Sequence, residues 1–236
     1  MDAIIAIAET IKHAYKHAHD ADPLSAFGSI VGLNRPVDKE TAESLSKTFV
    51  EVIVAPSFDD KAFEILSKKA SVRLIEMDMS KKASQKVSIK DVHGAFVVQT
   101  LDNKVVSKNM FNVITKKQPT AKQLNDLEFA FSVVKFVKSN AIVLVKNGRT
   151  IGIGAGQMSR VDAVEIALKK AGAKAKGAVL ASDAFFPFKD SVELANKYGV
   201  AAIIQPGGSK RDSESIDLCN EKEISMVFTG SRHFKH

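Results

Sequence analysis

The stretch from Thr150 to Arg160 reads T-I-G-I-G-A-G-Q-M-S-R, and it decides how the second half of the chain folds. An apolar run from Ala141 to Val145 and the dipeptide Asn147-Gly148 precede it. Asn-Gly between two strand-like runs is a strong hairpin signal, because both residues tolerate positive φ. We therefore predict a β-hairpin over residues 141–155 that leads into a helix over residues 161–171.

The corner between this hairpin and this helix combines exposed backbone with a cation. Gly154 and Gly156 would let a ligand approach the main chain, and Ser159 and Arg160 lie at the start of the helix. N–H groups at a helix start favour an anion, as does a guanidinium beside them. The glycines equally suit a plain turn with Arg160 in solvent, so the sequence alone leaves an anion site and a simple corner as alternatives.

Composition limits the class of protein. The chain has 236 residues, of which 45% are hydrophobic and 26% charged, as in one large globular domain or two of ordinary size. Its single cysteine, Cys219, excludes an intramolecular disulfide and a Cys-based zinc site and fits a reducing compartment. Because the sequence has no signal-peptide pattern and no apolar run of about 18 residues, we expect a cytoplasmic protein without a membrane partner.

The basic charge and the histidines allow further partners that we do not favour. The net charge of +7 would suit a nucleic acid, but the lysines are scattered and the aromatic residues few, so we expect no nucleic-acid partner. Small polyanionic ligands explain the charge equally well. His13 and His17 are four residues apart on a predicted helix over residues 2–20 and could share a metal ion. No acidic residue or cysteine offers a third ligand there, and we interpret this helix face as solvated.

Strand-like runs alternate with amphipathic helix patterns along the chain, which predicts a layered α/β fold. Further strands are predicted at residues 30–33, 50–55, 72–77, 94–100, 178–181, 200–204 and 225–229. Further helices are predicted at residues 39–48, 60–68, 120–139, 191–198 and 212–220.

The two halves of the chain echo each other. Residues 50–56 and 200–206 are both apolar runs that end in proline, and each is followed by a helix pattern and another strand. The echo predicts two similar α/β lobes over residues 1–118 and 119–236. A cleft between two lobes is the usual place for a small-molecule site.

Three phenylalanines and two carboxylates lie close together in residues 182–190, which read S-D-A-F-F-P-F-K-D. A flat ring could stack on the phenylalanines while Asp190 accepts its N–H groups. The phenylalanines could equally belong to the core, and both interpretations stay open at this point.

Six motifs together resemble the formyltransferase domain of the bifunctional purine-biosynthesis enzyme that also carries inosine monophosphate cyclohydrolase. They are D-P-L-S-A-F-G at 22–28, E-V-I-V-A-P at 51–56, I-G-I-G-A-G-Q-M-S-R at 151–160, the run at 182–190, Q-P-G-G-S at 205–209 and R-H-F-K-H at 232–236. The resemblance covers essentially the whole chain. It implies an α/β fold of two similar cytidine-deaminase-like three-layer lobes, an intertwined homodimer, and transfer of a formyl group from 10-formyltetrahydrofolate to aminoimidazole carboxamide ribonucleotide (AICAR).

Matched position by position, the resemblance also implies site residues. Contacts to the ribonucleotide are implied for Gly28, Glu51, Asn140 and Arg160. Contacts to the folate are implied for Val161, Phe185, Asp190, Ser209, Lys210 and Arg232. A structural monovalent cation such as potassium is implied near Asp183 and His236. Asn140 is implied as the catalytic residue that orients either the attacking amine or the formyl oxygen, while a base removes a proton and donors stabilise the oxyanion.

One part of the family pattern does not occur in these 236 residues. The family's proton-transfer Lys-His pair lies in a K-H-x-N-P-C-G segment ahead of its first helix, whereas Lys12-His13 and Lys16-His17 match the helix itself. The cyclohydrolase domain is not in the sequence either. We therefore expect a formyltransferase module whose upstream part is either a separate subunit or a segment ahead of the first residue of this sequence. The alternatives are a non-catalytic nucleotide- and folate-binding subunit or remnant, and an unrelated phosphate-binding α/β protein.

Overall fold

The structure, a computed structural model, describes residues 4–80 and 87–235. The helices are α1 Ile11–His19, α2 Lys39–Ser46, α3 Asp60–Ser67, α4 Ala121–Val134, α5 Arg160–Ala171, α6 Asp190–Lys197 and α7 Asp212–Glu221, with short 3-10 turns at Lys108–Met110 and Gly172–Ala175. The strands are β1 Ser29–Gly32, β2 Val50–Ala55, β3 Arg73–Glu76, β4 Val87–Val92, β5 Ala95–Thr100, β6 Asn112–Val113, β7 Ile142–Lys146, β8 Arg149–Gly154, β9 Val179–Ser182, β10 Ala202–Gln205 and β11 Ser225–Phe228. None of the helices in these two ranges is long and apolar enough to cross a membrane.

The chain forms two compact units. The large unit comprises Met1–Phe27 with Val106–His236, and the small unit comprises Gly28–Val105. These limits differ from the predicted lobes, residues 1–118 and 119–236. The chain before Phe27 joins the large unit because Ala6 forms a bridge with Arg149 of β8, and residues just after Val105 join it because β6 pairs with β11.

The large unit has three layers around a six-stranded sheet of order β6-β11-β10-β9-β7-β8. In β7, Ile142 and Leu144 pack toward α5, α6 and α7, whereas Val143 and Val145 pack toward α4. A strand that is buried on both faces reads as a continuous apolar run, which is the pattern of residues 141–145. The predicted α/β class is therefore confirmed.

The predicted hairpin over residues 141–155 is confirmed as β7 and β8. Its turn has positive φ at both Asn147 (56°) and Gly148 (67°), as Asn-Gly favours. The buried Asp126 of α4 accepts from the N–H groups of both turn residues, at 2.9 and 2.8 Å. The hairpin is thereby anchored to the helix that covers it.

Two glycines of β8 allow α5 to lie directly against the strand. A Cβ at Gly154 would be 1.9 Å from the carbonyl oxygen of Ala163, and one at Gly152 would be 2.1 Å from that of Ala167. Any side chain at either position would push α5 away from the sheet. Gly154 is therefore required for packing, which decides against the interpretation that it exposes backbone to a ligand.

The small unit is built on a parallel sheet of order β1-β2-β3 with α2 and α3 as its connections. Its core includes the fully buried Leu45, Ile53 and Leu66, and β4 and β5 form a separate antiparallel hairpin. The path β1-α2-β2-α3-β3 has the same strand order as β9-α6-β10-α7-β11 in the large unit. That agreement favours the predicted duplication, which stays a prediction.

The predicted helix over residues 2–20 is wrong in its first half, and residues 2 and 3 lie outside the described residues. Ile5 and Thr150 of β8 exchange main-chain and side-chain hydrogen bonds, with Thr150 N–H donating to the Ile5 carbonyl at 2.9 Å. Ile7 N–H donates to the Gly148 carbonyl at 2.8 Å. The helix starts only after Thr10, whose hydroxyl accepts from His13 N–H at 3.2 Å. Ile5 and Ile7 therefore lie along the edge of the hairpin, and only the residues after Thr10 form a helix.

We expect Gly154→Ala to lower the free energy of unfolding by about 3 kcal/mol, because the new methyl group overlaps the Ala163 carbonyl and α5 must shift. Gly32→Ala is the matched control, since Gly32 also lies in a strand, and a Cβ there would meet no atom within 4 Å. The control should change stability by less than about 0.5 kcal/mol. Urea denaturation measures both, and equal losses would contradict the packing role of Gly154.

Candidate functional site

One edge of the six-stranded sheet, which we call the carboxyl edge, carries most of the predicted site residues. β8, β9, β10 and β11 all end there, and the antiparallel β7 begins there, because Ile142 pairs with both Gly154 and Ser182. Ligands of α/β proteins commonly bind outside the carboxyl ends of parallel strands. The predicted residues on the loops and helix starts at this edge are Asn140, Arg160, Val161, Asp183, Phe185, Asp190, Ser209, Lys210 and Arg232.

A buried ion pair joins the start of α5 to the end of β9. Arg160 is 8% exposed and Asp183 is fully buried. The Arg160 Nη1 group donates to Asp183 Oδ1 and to the hydroxyl of Ser182, the latter at 2.9 Å. Ser139 donates to the other carboxylate oxygen of Asp183. Arg160 is therefore fixed and neutralised, and the interpretation that it lies in solvent is wrong.

Asn140 is held by the same cluster in one orientation. Its Oδ1 accepts from Arg160 Nη2 at 2.7 Å, and its Nδ2 donates to the carbonyls of Gln157 and Met158 at 2.8 and 3.1 Å. Both amide hydrogens are thus used, while Oδ1 can accept one more hydrogen bond. Asn140 can accept an N–H from a ligand but has none left to donate.

Arg160 keeps some capacity for a ligand despite its partners. Three of the five guanidinium N–H groups bond within the described residues. The Nε–H and one Nη2–H remain able to donate to an oxygen at the carboxyl edge. Because Asp183 cancels its charge, Arg160 would act mainly as a directional donor rather than as a source of net positive charge.

The loop that follows β9 divides its three phenylalanines between core and surface. Phe186 is fully buried, and its N–H donates to the side-chain oxygen of Gln205 at 2.8 Å. Phe188 is 48% exposed, with the Arg211 guanidinium 5.1 Å from its ring centroid. Phe185, the predicted folate contact, is partly buried. The core interpretation holds for Phe186, while Phe185 and Phe188 retain accessible ring surface.

The loop that follows β10 needs its glycines for backbone shape. Gly207 and Gly208 have φ of 73° and 99°, and a Cβ at Gly207 would be 2.4 Å from the Phe228 ring. The N–H groups of Gly208 and Ser209 donate to one carboxylate oxygen of Asp212, at 2.7 and 3.1 Å. Lys210 follows as an exposed cation.

The segment after β11 is tied to both neighbouring loops. Gly230 N–H donates to the Pro206 carbonyl at 3.0 Å, and His233 N–H donates to the Asp183 carbonyl at 2.8 Å. Arg232 is exposed, with its guanidinium 5.2 Å from the Phe234 ring centroid. The loops that carry the predicted folate contacts are thus linked to one another and to the ion pair.

The remaining predicted contacts lie in the small unit. Gly28 has φ of 69°, and its N–H donates to the Phe49 carbonyl at 3.0 Å. The Glu51 carboxylate approaches it closely, since Oε1 would be 3.5 Å from a Cβ at Gly28. These two predicted ribonucleotide contacts are therefore neighbours within the small unit.

The predicted cation does not fit the described side chains. His236 lies outside the described residues, and both carboxylate oxygens of Asp183 already accept from Ser139 and Arg160. A cation on that carboxylate would lie beside a guanidinium and be repelled by it. Within the described residues, 4–80 and 87–235, no group of three or more His, Cys, Asp or Glu side chains could hold a metal ion.

Sequence reasoning missed residues that act by holding others in place. Gln205 is a buried amide that ends an otherwise apolar strand, and although it belongs to the Q-P-G-G-S motif, its hydrogen bond with the Phe186 N–H was not predicted. Asp212 gave only a weak signal in the sequence, a carboxylate four residues after Gly208.

Burial raises the pKa of the Cys219 thiol to about 12, which rules it out as a nucleophile at neutral pH.

Comparisons with known proteins agree with the motifs. The family model described as AICARFT/IMPCHase bienzyme matches residues 2–170. The bifunctional purine biosynthesis protein PurH of Oceanobacillus iheyensis is 55% identical over 232 residues, which are 98% of this chain and 46% of that protein. The protein of the same name from Thermoanaerobacter sp. is 52% identical over 98% of this chain and 45% of its own length. The chain thus spans about half the length of the curated relatives it matches.

Similarity to solved structures is low. Acinetobacter baumannii RibD, form 2, aligns with 44% of this chain and 33% of its own chain, at 17% identity and a TM-score of 0.31. A TM-score this small supports no argument about fold or function.

We expect Arg160→Met to lower the free energy of unfolding by about 3–5 kcal/mol, because it leaves the Asp183 carboxylate buried without a counter-charge. Adding Asp183→Asn should recover much of that loss. Lys169→Met is the matched control, since Lys169 forms an exposed pair with Glu165 on the same helix and its removal should change stability far less than Arg160→Met does. Denaturant titration of the three variants provides the measurement, and a double variant no more stable than Arg160→Met would contradict the pairing.

Proposed function

This chain belongs to the AICARFT/IMPCHase bienzyme family, and we propose that it binds AICAR and 10-formyltetrahydrofolate and carries the formyl transfer between them. The observation that carries the proposal is the fixed amide of Asn140, which offers a single free acceptor at the carboxyl edge. The loops with Phe185, Ser209 and Arg232 leave the sheet at the same edge. A nucleophile and a formyl donor bound there would be neighbours.

The proposed role of Asn140 is to orient the attacking amine. An amine on an aromatic ring beside a carboxamide is a poor nucleophile, so its lone pair must be directed at the formyl carbon. Asn140 Oδ1 can accept one amine N–H and so fix that direction, whereas its Nδ2 has no hydrogen left for the formyl oxygen. The remaining N–H groups of Arg160 can donate to an oxygen of the ribonucleotide.

The reaction also needs a base. The amine nitrogen attacks the formyl carbon, the bond from that carbon to N10 of the folate breaks, and the amine proton finally reaches N10. The resemblance assigns proton transfer to a Lys-His segment outside residues 1–236. We propose that such a Lys-His segment supplies the base for the reaction of this chain as well.

The folate loops suit an aromatic ring with carboxylates at its far end. Phe185 supplies partly buried ring surface, and Lys210 and Arg232 are exposed cations that can pair with the glutamate carboxylates of a folate. Val161 and Asp190 lie in the first turns of α5 and α6, which begin at this edge. We propose that these residues and Ser209 form the folate site, and that Gly28 and Glu51 contribute to the ribonucleotide site.

Three broader features belong to the same proposal. The shared strand order of β1-β2-β3 and β9-β10-β11 supports two similar lobes of cytidine-deaminase type. We propose that the chain works as a homodimer in the cytoplasm, as the family resemblance implies. We propose that a potassium ion near Asp183 has only a structural role, because both carboxylate oxygens already accept hydrogen bonds.

That structural ion has a simple test. The melting temperature of the chain should be higher in potassium chloride than in tetramethylammonium chloride at equal ionic strength, because a bound ion stabilises the folded state. Equal melting temperatures would remove the ion from the proposal.

We expect the isolated chain to bind AICAR and, separately, 10-formylfolate, and calorimetry measures both. Phe185→Ala should weaken 10-formylfolate roughly tenfold through lost ring contact and leave AICAR affinity unchanged. Asn140→Ala should have the reverse selectivity, because the lost acceptor faces the ribonucleotide. Phe63→Ala, at an exposed phenylalanine of α3, is the control and should affect neither ligand.

The outcomes separate the candidate functions. If neither AICAR nor 10-formylfolate produces heat of binding, the proposal is wrong and an unrelated phosphate-binding protein is favoured. Binding of both ligands, together with formyl transfer after addition of a subunit that carries the Lys-His segment, supports the enzyme. Binding of both without transfer under any such addition supports the alternative, a non-catalytic nucleotide- and folate-binding subunit.

A further inference from the structure

In the glycine loop between β10 and α7, a carboxylate of the protein occupies the N–H groups that could otherwise bind a ligand anion. Asp212, the first residue of α7, points one carboxylate oxygen back at the loop and accepts from the N–H groups of Gly208 and Ser209, at 2.7 and 3.1 Å. A pair of N–H groups in a glycine loop before a helix ordinarily suits a phosphate or carboxylate ligand. Here the pair is already occupied, so this loop does not receive a ligand anion through its backbone.

Two further hydrogen bonds hold Ser209 next to this carboxylate. Ser209 Oγ accepts from Arg211 N–H at 3.2 Å, and Asp212 N–H donates to the Ser209 carbonyl at 3.3 Å. A hydroxyl that accepts from the protein keeps its own hydrogen for another acceptor. Ser209 can therefore donate a hydrogen bond to a ligand at the carboxyl edge.

The glycines of this loop do not hold its backbone in one conformation, so the hydrogen bonds to Asp212 contribute to its rigidity. Gly208 has φ of 99°, and a Cβ there would meet no atom within 4 Å. Its conformation is thus available to glycine but not enforced by packing, and an unrestrained glycine pair samples many conformations. The two hydrogen bonds to Asp212 are the contacts of the Gly208 and Ser209 amides that help to select one of them.

We propose that Asp212 is a positioning residue that holds Ser209 as a hydrogen-bond donor to the folate. The inference rests on the proposed function, because it assigns Ser209 to the folate site. It adds Asp212, which need not touch the ligand. It also requires that the ligand present a hydrogen-bond acceptor to Ser209.

A double-mutant cycle on the full chain, with 10-formylfolate as the probe, tests the inference. Asp212→Ala and Ser209→Ala should each weaken binding roughly three- to tenfold, the effect of one hydrogen bond. If Asp212 acts through Ser209, the double variant should bind within about twofold of the weaker single variant. Asp212→Asn should stay near the wild-type affinity, because its amide oxygen can accept from both N–H groups.

Matched controls separate positioning from general damage. Asp217→Ala removes an exposed carboxylate from the same helix and should leave 10-formylfolate affinity unchanged. AICAR affinity should be unchanged in all of these variants. If Asp212→Ala does not fold, Asp212→Ser takes its place, since the shorter hydroxyl cannot reach both N–H groups.

Hydrogen exchange supplies a test without ligand. The amides of Gly208 and Ser209 should exchange faster in Asp212→Ala, and at the wild-type rate in Asp217→Ala. Unchanged exchange, additive losses in the cycle, or unchanged folate affinity in Asp212→Ala would each overturn the inference. Failure of the wild-type chain to bind 10-formylfolate would overturn the proposed folate site itself, and the exchange rates would still decide whether Asp212 holds the loop.

Discussion

The contact between the backbone of β8 and the backbone of α5 is the constraint on which the site depends. Because Gly152 and Gly154 carry no side chains, the helix lies directly on the strand, and its first turn is held at the carboxyl edge. Ser159 closes that turn by accepting from Asp162 N–H at 3.1 Å. Arg160 therefore begins the helix at one defined position, from which its guanidinium can reach the end of β9.

That placement explains why a buried ion pair is tolerated. Taking two charges out of water costs several kcal/mol, which geometry must offset through hydrogen bonds. Here Asp183 accepts from Arg160 and Ser139, and Arg160 also bonds to Ser182 and Asn140. An apolar replacement could be as stable, but it would leave Asn140 without its fixed orientation. The pair is therefore better explained by the direction it gives to one amide than by stability.

Local signals predicted the parts of the fold that local chemistry determines. Asn147-Gly148 predicted the hairpin because positive φ is a property of those two residues, and the apolar run of β7 follows from burial on both faces. The first half of the predicted helix over residues 2–20 is wrong because Ile5 pairs with Thr150, 145 positions away in sequence. The neutralisation of Arg160 was equally invisible, since only the pairing of β7 with β9 brings Asp183 beside it. The resemblance named the candidate site residues, but it could not say which of their donors and acceptors are already occupied.

Few hydrogen-bonding positions remain open at the carboxyl edge. Asn140 has one acceptor left, Arg160 has two donors left, and Ser209 has one donor left. Under the proposed function, the ribonucleotide would offer an amine N–H and an oxygen to the first two, and the folate would offer an acceptor to the third. Because Asn140, Arg160 and Ser209 are each held by hydrogen bonds within the protein, little reorganisation would be needed on ligand binding, and preorganised dipoles of this kind are what stabilise developing charge most effectively. The edge is thus specified less by its exposed charges than by the few hydrogen-bonding positions that the fold leaves open.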